Sequence, residues 1–358
     1  WLVKNVPESN GRVGTIGGSY EGYTTVMSTV RPHPALKVAV PFAPMVDGWM
    51  GDDWFHNGAF RQDGALEYTY EQEASRKNEL QWWTGTYDTY DLYLRAGSAG
   101  DLGKSRGLEQ LEFWRALTEH PSYDAYWQGQ AVDKLLAKEP LTVPMMIVGG
   151  LFDQEDIYGA PALYKALAPK DPEGKRVHLV LGPWNHGQGR REGRGIGMVQ
   201  FEGDTAGWFR RTVMQPFLDY YLKDAPKPDT PRVLAYETGA NQWHRYDRWP
   251  RSCAEGCEHE ARELFLQADG KLGSDRPSAP RAAFDEYLSD PAKPVPYRLR
   301  PTLDSSATES TWGEWLMDDQ RQAASRPDVL VYSTEPLAKP VRVAGEPYAK
   351  LFASTSGS

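Results

Sequence analysis

Three residues with the chemistry of acyl transfer stand out: Ser19 in TIGGSYEGYTTV, Asp153 in GGLFDQED and His186 in GPWNHGQ. A serine hydroxyl becomes a nucleophile when a base takes its proton, and an imidazole serves best when a carboxylate fixes its orientation. Gly17, Gly18 and Gly22 surround Ser19 with small neighbours, as a sharp strand-to-helix turn requires if it is to hold a side chain clear of a sheet. The match to G-x-S-x-G is imperfect, because Glu21 stands where the last glycine is expected. Taken alone, Ser19 is either a nucleophile or the N-cap of the helix behind it. Asp153 is likewise an orienting carboxylate or a helix cap, and His186 a base or a loop histidine bonded to backbone. Of the other histidines, His178 lies inside a strand and His33 between prolines; His56, His120, His244 and His259 lack a strand-end setting.

The elements that must position these groups follow from the apolar runs. GRVGTIG is a β-branched run ended by glycines, with helical spacing in YTTVMSTV behind it. ALKVAVPFAP (35–44), LTVPMMIVGGL (141–151) and RVHLVLGPW (176–184) are almost continuously apolar, as in strands covered on both faces of a parallel sheet. YGAPALYKALA reads as a crossover helix, so the organisation is α/β. Asp153 and His186 then fall just past carboxyl ends of strands, where open α/β sheets gather their catalytic residues. Residues 66–137 are polar, aromatic and helix-prone, which predicts a helical insertion. Beyond the proline-rich LKDAPKPDTPRV (222–233), the short runs RVLAYETG, RELFLQA and DVLVYST predict an all-β sandwich.

Composition narrows the partners. The 358 residues carry 40 Lys+Arg against 49 Asp+Glu, a formal net charge of -9, which offers no basic footprint for nucleic acid. No apolar run approaches the roughly 20 residues needed to span a bilayer, and WLVKNVPESN has no signal-peptide pattern. Cys253 and Cys257, a lone pair, fall short of a four-ligand zinc site. They form either a local disulfide, suiting an exported protein, or two reduced thiols, suiting a cytosolic one. No metal or cofactor is expected.

The serine stretch, PMVDGWMGDDWFHNGAFRQ (44–62), HPSYDAYW (120–127), GGLFDQEDIYGA and LGPWNHG together resemble the α-amino-acid ester hydrolases. These belong to the wider group of cocaine esterase, glutaryl acylases and X-prolyl dipeptidyl peptidases. The resemblance spans nearly the whole chain. It implies an α/β-hydrolase core, a helical cap and a C-terminal jelly roll, which fits the regions read above: core in 1–65 and 138–225, cap in 66–137, jelly roll in 226–358. It also implies Ser19, Asp153 and His186 as the triad, in the chain order of α/β-hydrolases. The backbone N–H of Tyr20, next after the nucleophile, is expected to donate to the oxyanion. The family's second donor, a tyrosine hydroxyl from an earlier loop, has no counterpart here.

The resemblance further implies that Asp53, Glu155 and Asp156 form a carboxylate cluster for the substrate's ammonium group. Three converging carboxylates repel one another until a cation arrives. As residues alone, GDD is equally a solvated loop, and Glu155 and Asp156 equally acids at the positive end of the next helix. The family transfers acyl groups to water or to β-lactam amines, forms tetramers and is often exported to the periplasm; these are carried over as expectations. Trp82, Trp83 and Tyr87 in the cap either line an apolar pocket or simply pack. Only 18 residues precede Ser19, so the chain is expected to be a fragment lacking inner strands and the end of the jelly roll, poorly stable alone. The competing readings are a cocaine-esterase-like or glutaryl-acylase-like hydrolase with no α-amino requirement, and an inactive hydrolase-fold binding protein.

Overall fold

The four apolar runs form four neighbouring strands of one sheet in the computed structural model of the chain. The structure describes residues 1–358 apart from 52–53, 78, 251, 254–258, 261, 278–283, 291, 297, 304–309, 311 and 358. β1 (Val13–Ser19), β2 (Leu36–Pro44), β3 (Met145–Gly150) and β4 (Val177–Gly182) lie side by side in that order, all parallel. Every residue of β3 and β4 is buried, as an almost unbroken apolar run requires when helices cover both faces. On one face Val38, Val40 and Phe42 of β2, Met146 and Val148 of β3 and Val180 of β4 pack against Phe209 and Phe217. Those rings come from a helical stretch of Thr205–Phe209 and Gln215–Lys223 joined by a π-helical turn.

The helices meet the sequence expectation closely. α1 (Tyr20–Met27) starts at the residue after Ser19, and the crossover helix α8 (Gly159–Leu167) returns the chain from β3 to β4. Between β2 and β3 lies the insertion, with α2 (Gln62–Glu73), α3 (Thr89–Ala96), α4 (Ala99–Ser105), α5 (Glu112–Glu119), α6 (Ala125–Gln130) and α7 (Val132–Lys138). It has a core of its own, including Trp54, Leu66, Trp82, Trp114 and Trp127. Buried Asp47 ties this insertion to the sheet: its carboxylate accepts from the Tyr123 hydroxyl at 2.5 Å and pairs with Lys134 at 3.0 Å.

One strand expected in the all-β region joins the central sheet instead. RVLAYETG, read as the first strand of a sandwich beginning at 226, becomes β5 (Val233–Glu237), parallel to β4 in the central sheet. β6 (Gln242–Tyr246) follows it antiparallel. The physical reason is burial: Val233, Leu234, Ala235 and Tyr236 are all buried, so the run is covered on both faces like β3 and β4. A sandwich strand would instead alternate.

The chain divides into two units, residues 1–247 with 296–319, and residues 248–295 with 320–358. Among the described residues of the second unit the strands are short. Phe265–Gln267 pairs with Lys271–Gly273, and Ser252–Cys253 with His259–Glu260. DVLVYST contributes one isolated bridge, Lys271 to Ser333, rather than a strand. No sandwich is formed among these residues. Cys257 lies outside the described residues, so the disulfide expectation does too.

Candidate active site

β1 ends in Ser19 and α1 begins at the next residue, which makes the turn too tight for ordinary dihedrals. Ser19 has φ 62° and ψ −125°, a positive φ that residues with a Cβ rarely adopt. Such strain persists where the surrounding structure over-determines it, and it gathers at functional positions. Two glycines make the turn sterically feasible. A Cβ on Gly17 would overlap the Glu21 carbonyl, and one on Gly22 would meet the Phe42 carbonyl oxygen at 2.9 Å. The Ser19 hydroxyl does not cap α1, which removes the bland alternative for this residue. The backbone N–H of Tyr20 belongs to the first turn of α1, where helices leave donors without intrahelical partners.

Asp153 and His186 sit on loops that are fastened together. The Leu151 N–H donates to the Gly182 carbonyl at 2.8 Å and the Phe152 N–H to the Trp184 carbonyl at 3.0 Å. Trp184 is buried in the sheet core and its indole N–H donates to the Thr205 hydroxyl at 2.9 Å, so the loop carrying His186 has a fixed root. Asp153 is buried, and its Oδ1 accepts three bonds: from the Glu155 N–H at 2.9 Å, the Asp156 N–H at 2.8 Å and His186 Nδ1–H at 3.0 Å. The carboxylate therefore both caps its own turn and orients the imidazole. A carboxylate only accepts, so it fixes the proton of the imidazole on Nδ1 and aims Nε2 away.

The other imidazole nitrogen faces a second acid. Nε2 of His186 lies 3.2 Å from Oε2 of Glu155. Glu155 is held in turn by Gln154, whose amide Nε2 donates to Glu155 Oε1 at 2.9 Å while its Oε1 accepts from the His186 N–H at 3.0 Å. Asp156 has a fully buried side chain, with Oδ2 3.9 Å from His186 Nδ1. Burial pushes the Glu155 carboxyl above its ordinary 4.5; the His186 and Arg61 cations pull it down and the Asp153 charge adds to the rise. Asp153, Glu155 and Asp156 all come within 4 Å of this imidazole.

Ser19, Asp153, Asn185 and Arg190 line one cleft at the carboxyl ends of the central strands. Thus Ser19, Asp153, His186, Glu155 and Asp156 are gathered at one end of the sheet. Asp53, the third acid of the expected cluster, lies outside the described residues. Among the described residues no hydrogen bond joins the Ser19 hydroxyl to His186, whose Nε2 is turned to Glu155 instead. Catalytic hydrogen bonds often tighten only with substrate in place.

Sequence reasoning missed four contributors. Gln154 read as a spacer in DQED, and Arg61, at the entrance to α2, had no visible link to residue 155. Arg190 lies with its guanidinium against Gly18, and the Gly313 carbonyl accepts weakly from Asn185 Nδ2 at 3.4 Å. The last comes from a stretch assigned to the jelly roll, which no local pattern could have placed here. In the cap, Trp82 packs in the core while Trp83 is 53% and Tyr87 74% exposed, so Trp82 takes the packing alternative.

Comparison with known proteins adds independent findings. Residues 1–188 match the X-Pro dipeptidyl-peptidase family S15, and residues 227–358 match the X-Pro dipeptidyl-peptidase C-terminal non-catalytic domain. The crystal structure of an aminopeptidase from the marine sediment archaeon Thaumarchaeota archaeon superposes with a TM-score of 0.92. It is 71% identical over 96% of this chain and 56% of that one. An α-amino acid ester hydrolase structure superposes with a TM-score of 0.93 at 53% identity, again covering 96% of this chain and 56% of that one. Cocaine esterase of Rhodococcus sp. is 25% identical over 99% of this chain and 62% of its own length. The chain thus spans 56% to 62% of the length of these relatives.

Proposed function

This chain belongs to the X-Pro dipeptidyl-peptidase S15 family, and from that membership we propose that the protein is a serine hydrolase acting on esters and amides of α-amino acids. The observation that carries the reading is the His186 imidazole held between Asp153 on Nδ1 and Glu155 on Nε2, at the sheet end where Ser19 occupies a strained turn. Two relatives support the substrate class. An aminopeptidase and an α-amino acid ester hydrolase both act on molecules with a free α-amino group, and these are the structures at 71% and 53% identity.

In the proposed reaction Ser19 Oγ attacks the ester or amide carbonyl as His186 Nε2 takes its proton, with Asp153 stabilising the imidazolium. The Tyr20 backbone N–H donates to the oxyanion at the start of α1, where the helix dipole also favours negative charge. Collapse expels the alcohol or amine with the proton from His186, leaving an acyl-enzyme. Water, activated by the same imidazole, releases the amino acid; an amine in its place would give acyl transfer, including to a β-lactam nucleus. Glu155 and Asp156, joined by Asp53, receive the ammonium. An ester without that group brings no cation to these buried carboxylates, which is the source of discrimination. The jelly roll, a tetrameric assembly and export to the periplasm belong to the same reading of the whole protein.

The rival is a hydrolase indifferent to the amine, as for a cocaine-esterase-like enzyme. Matched esters with and without the α-amino group, assayed on the full-length protein, separate the two. We expect kcat/KM to favour the amino ester by at least about a hundredfold, the scale of an unpaired buried charge. Equal values remove the ammonium site from the account.

A further inference from the structure

Glu155 occupies the one atom of the base that the reaction requires. His186 Nε2 must present a lone pair to the Ser19 hydroxyl, yet it lies 3.2 Å from Glu155 Oε2. A carboxylate this close favours the protonated imidazole, and a protonated Nε2 has no lone pair to offer the serine. The contact is not a loose surface pair. The His186 side chain is 12% and the Glu155 side chain 22% exposed, and Gln154 braces both, bonding Glu155 Oε1 at 2.9 Å and the His186 N–H at 3.0 Å. Asp153 on Nδ1 prevents the ring from flipping away.

We propose that Glu155 is a latch on the catalytic base, released by the substrate's own ammonium group. The inference rests on the α-amino reading above and adds to it a step that simple binding lacks. Without substrate, Glu155 Oε2 and His186 Nε2 satisfy one another. An arriving α-ammonium supplies Glu155 with a positive hydrogen-bond donor, Glu155 leaves the imidazole, the Nε2 proton departs to water and the lone pair it leaves is free to accept from Ser19. No covalent bond other than that N–H bond is broken, and one proton is released for each ammonium bound. The amine requirement is thereby written into kcat as well as KM: a substrate without the amine binds a site whose base is still engaged.

The test uses two covalent probes of Ser19 on the full-length protein, diphenyl α-aminobenzylphosphonate and its amine-free analogue diphenyl benzylphosphonate. In the native enzyme the amine-bearing probe reacts faster. In Glu155→Ala the latch account expects the amine-free probe to react about tenfold faster than it does with the native enzyme, the scale of removing one partly buried carboxylate from beside Nε2. The amine-bearing probe slows in the same variant. Glu155→Asp keeps the charge but draws the carboxylate back from the imidazole, and must also speed the amine-free probe. If neither variant gains reactivity with the amine-free probe, and circular dichroism shows both folded, Glu155 only binds the amine and the latch is overturned while the proposed function stands. If the native enzyme reacts equally with both probes, the α-amino reading fails instead.

Discussion

At the scale of single residues, the site is a competition for one imidazole. Asp153 holds Nδ1 and also ties down the Glu155 and Asp156 N–H groups, so Asp153→Asn should preserve the turn, since an amide oxygen still accepts, while losing tautomer control. We expect kcat to fall by about four orders of magnitude with the thermal midpoint little changed. A retained rate would show that this carboxylate has no part in catalysis. The Glu155 carboxyl titrates above its ordinary 4.5, chiefly through burial. Its negative charge is therefore lost at a higher pH than a solvated glutamate would lose it. The preference for amino over amine-free esters should begin to fall while the pH is still above 4.5, and a preference flat down to that value would contradict the assignment. Glu155 and Asp156 were singled out only by the resemblance, whereas Ser19, Asp153 and His186 were legible from residue type and their place at or just past strand ends. Arg61 and Gln154 were not. Their relevance depends on how the cap folds over the sheet end and on which side-chain atoms face Glu155, and neither leaves a local pattern.

At the scale of elements, the hinge of the design is the β1–α1 turn. Gly17→Ala forces a Cβ into the Glu21 carbonyl, so it should cost about 1–3 kcal/mol and displace Ser19. Thermal melting together with probe labelling checks this, and a variant with native stability and labelling would show that the turn tolerates a side chain. On β4, His178 is buried, with Nδ1 bonded to the Pro231 carbonyl at 2.9 Å and its ring edge-on to Phe217. Burial holds its pKa below the ordinary 6.5. The unfolded chain thus takes up a proton before the folded one does. This contribution to stability is fully present above 6.5 and is lost as the pH falls below it. His178→Leu should flatten the stability profile between about pH 6.5 and 5, and an unchanged slope would place the acid sensitivity elsewhere. The strands β1 to β4 were legible because their apolar runs are continuous. β5 has the same signature, four consecutive buried residues, but its position after a proline-rich stretch assigned it to the wrong layer. Burial on both faces outweighs the linker as evidence.

At the scale of the whole molecule, a six-stranded sheet carries the candidate site, and a helical insertion with its own aromatic core lies between β2 and β3 in the sequence. The two share anchors such as Asp47 with Lys134, so core and cap are expected to lose structure together. Phe217→Ala, deep in the sheet's core, should cost about 3–5 kcal/mol and lower one common unfolding transition of these parts. Two separated transitions, with only one moved, would argue that the cap folds alone. The account's central claim is that Ser19 is a nucleophile driven by His186. Mass spectrometry of a fluorophosphonate adduct on the full-length protein tests it most directly. The account predicts a single phosphonylated serine, residue 19, with the adduct lost in a folded His186→Ala variant. Modification at another residue, or labelling of Ser19 that proceeds unchanged without the imidazole, would contradict it.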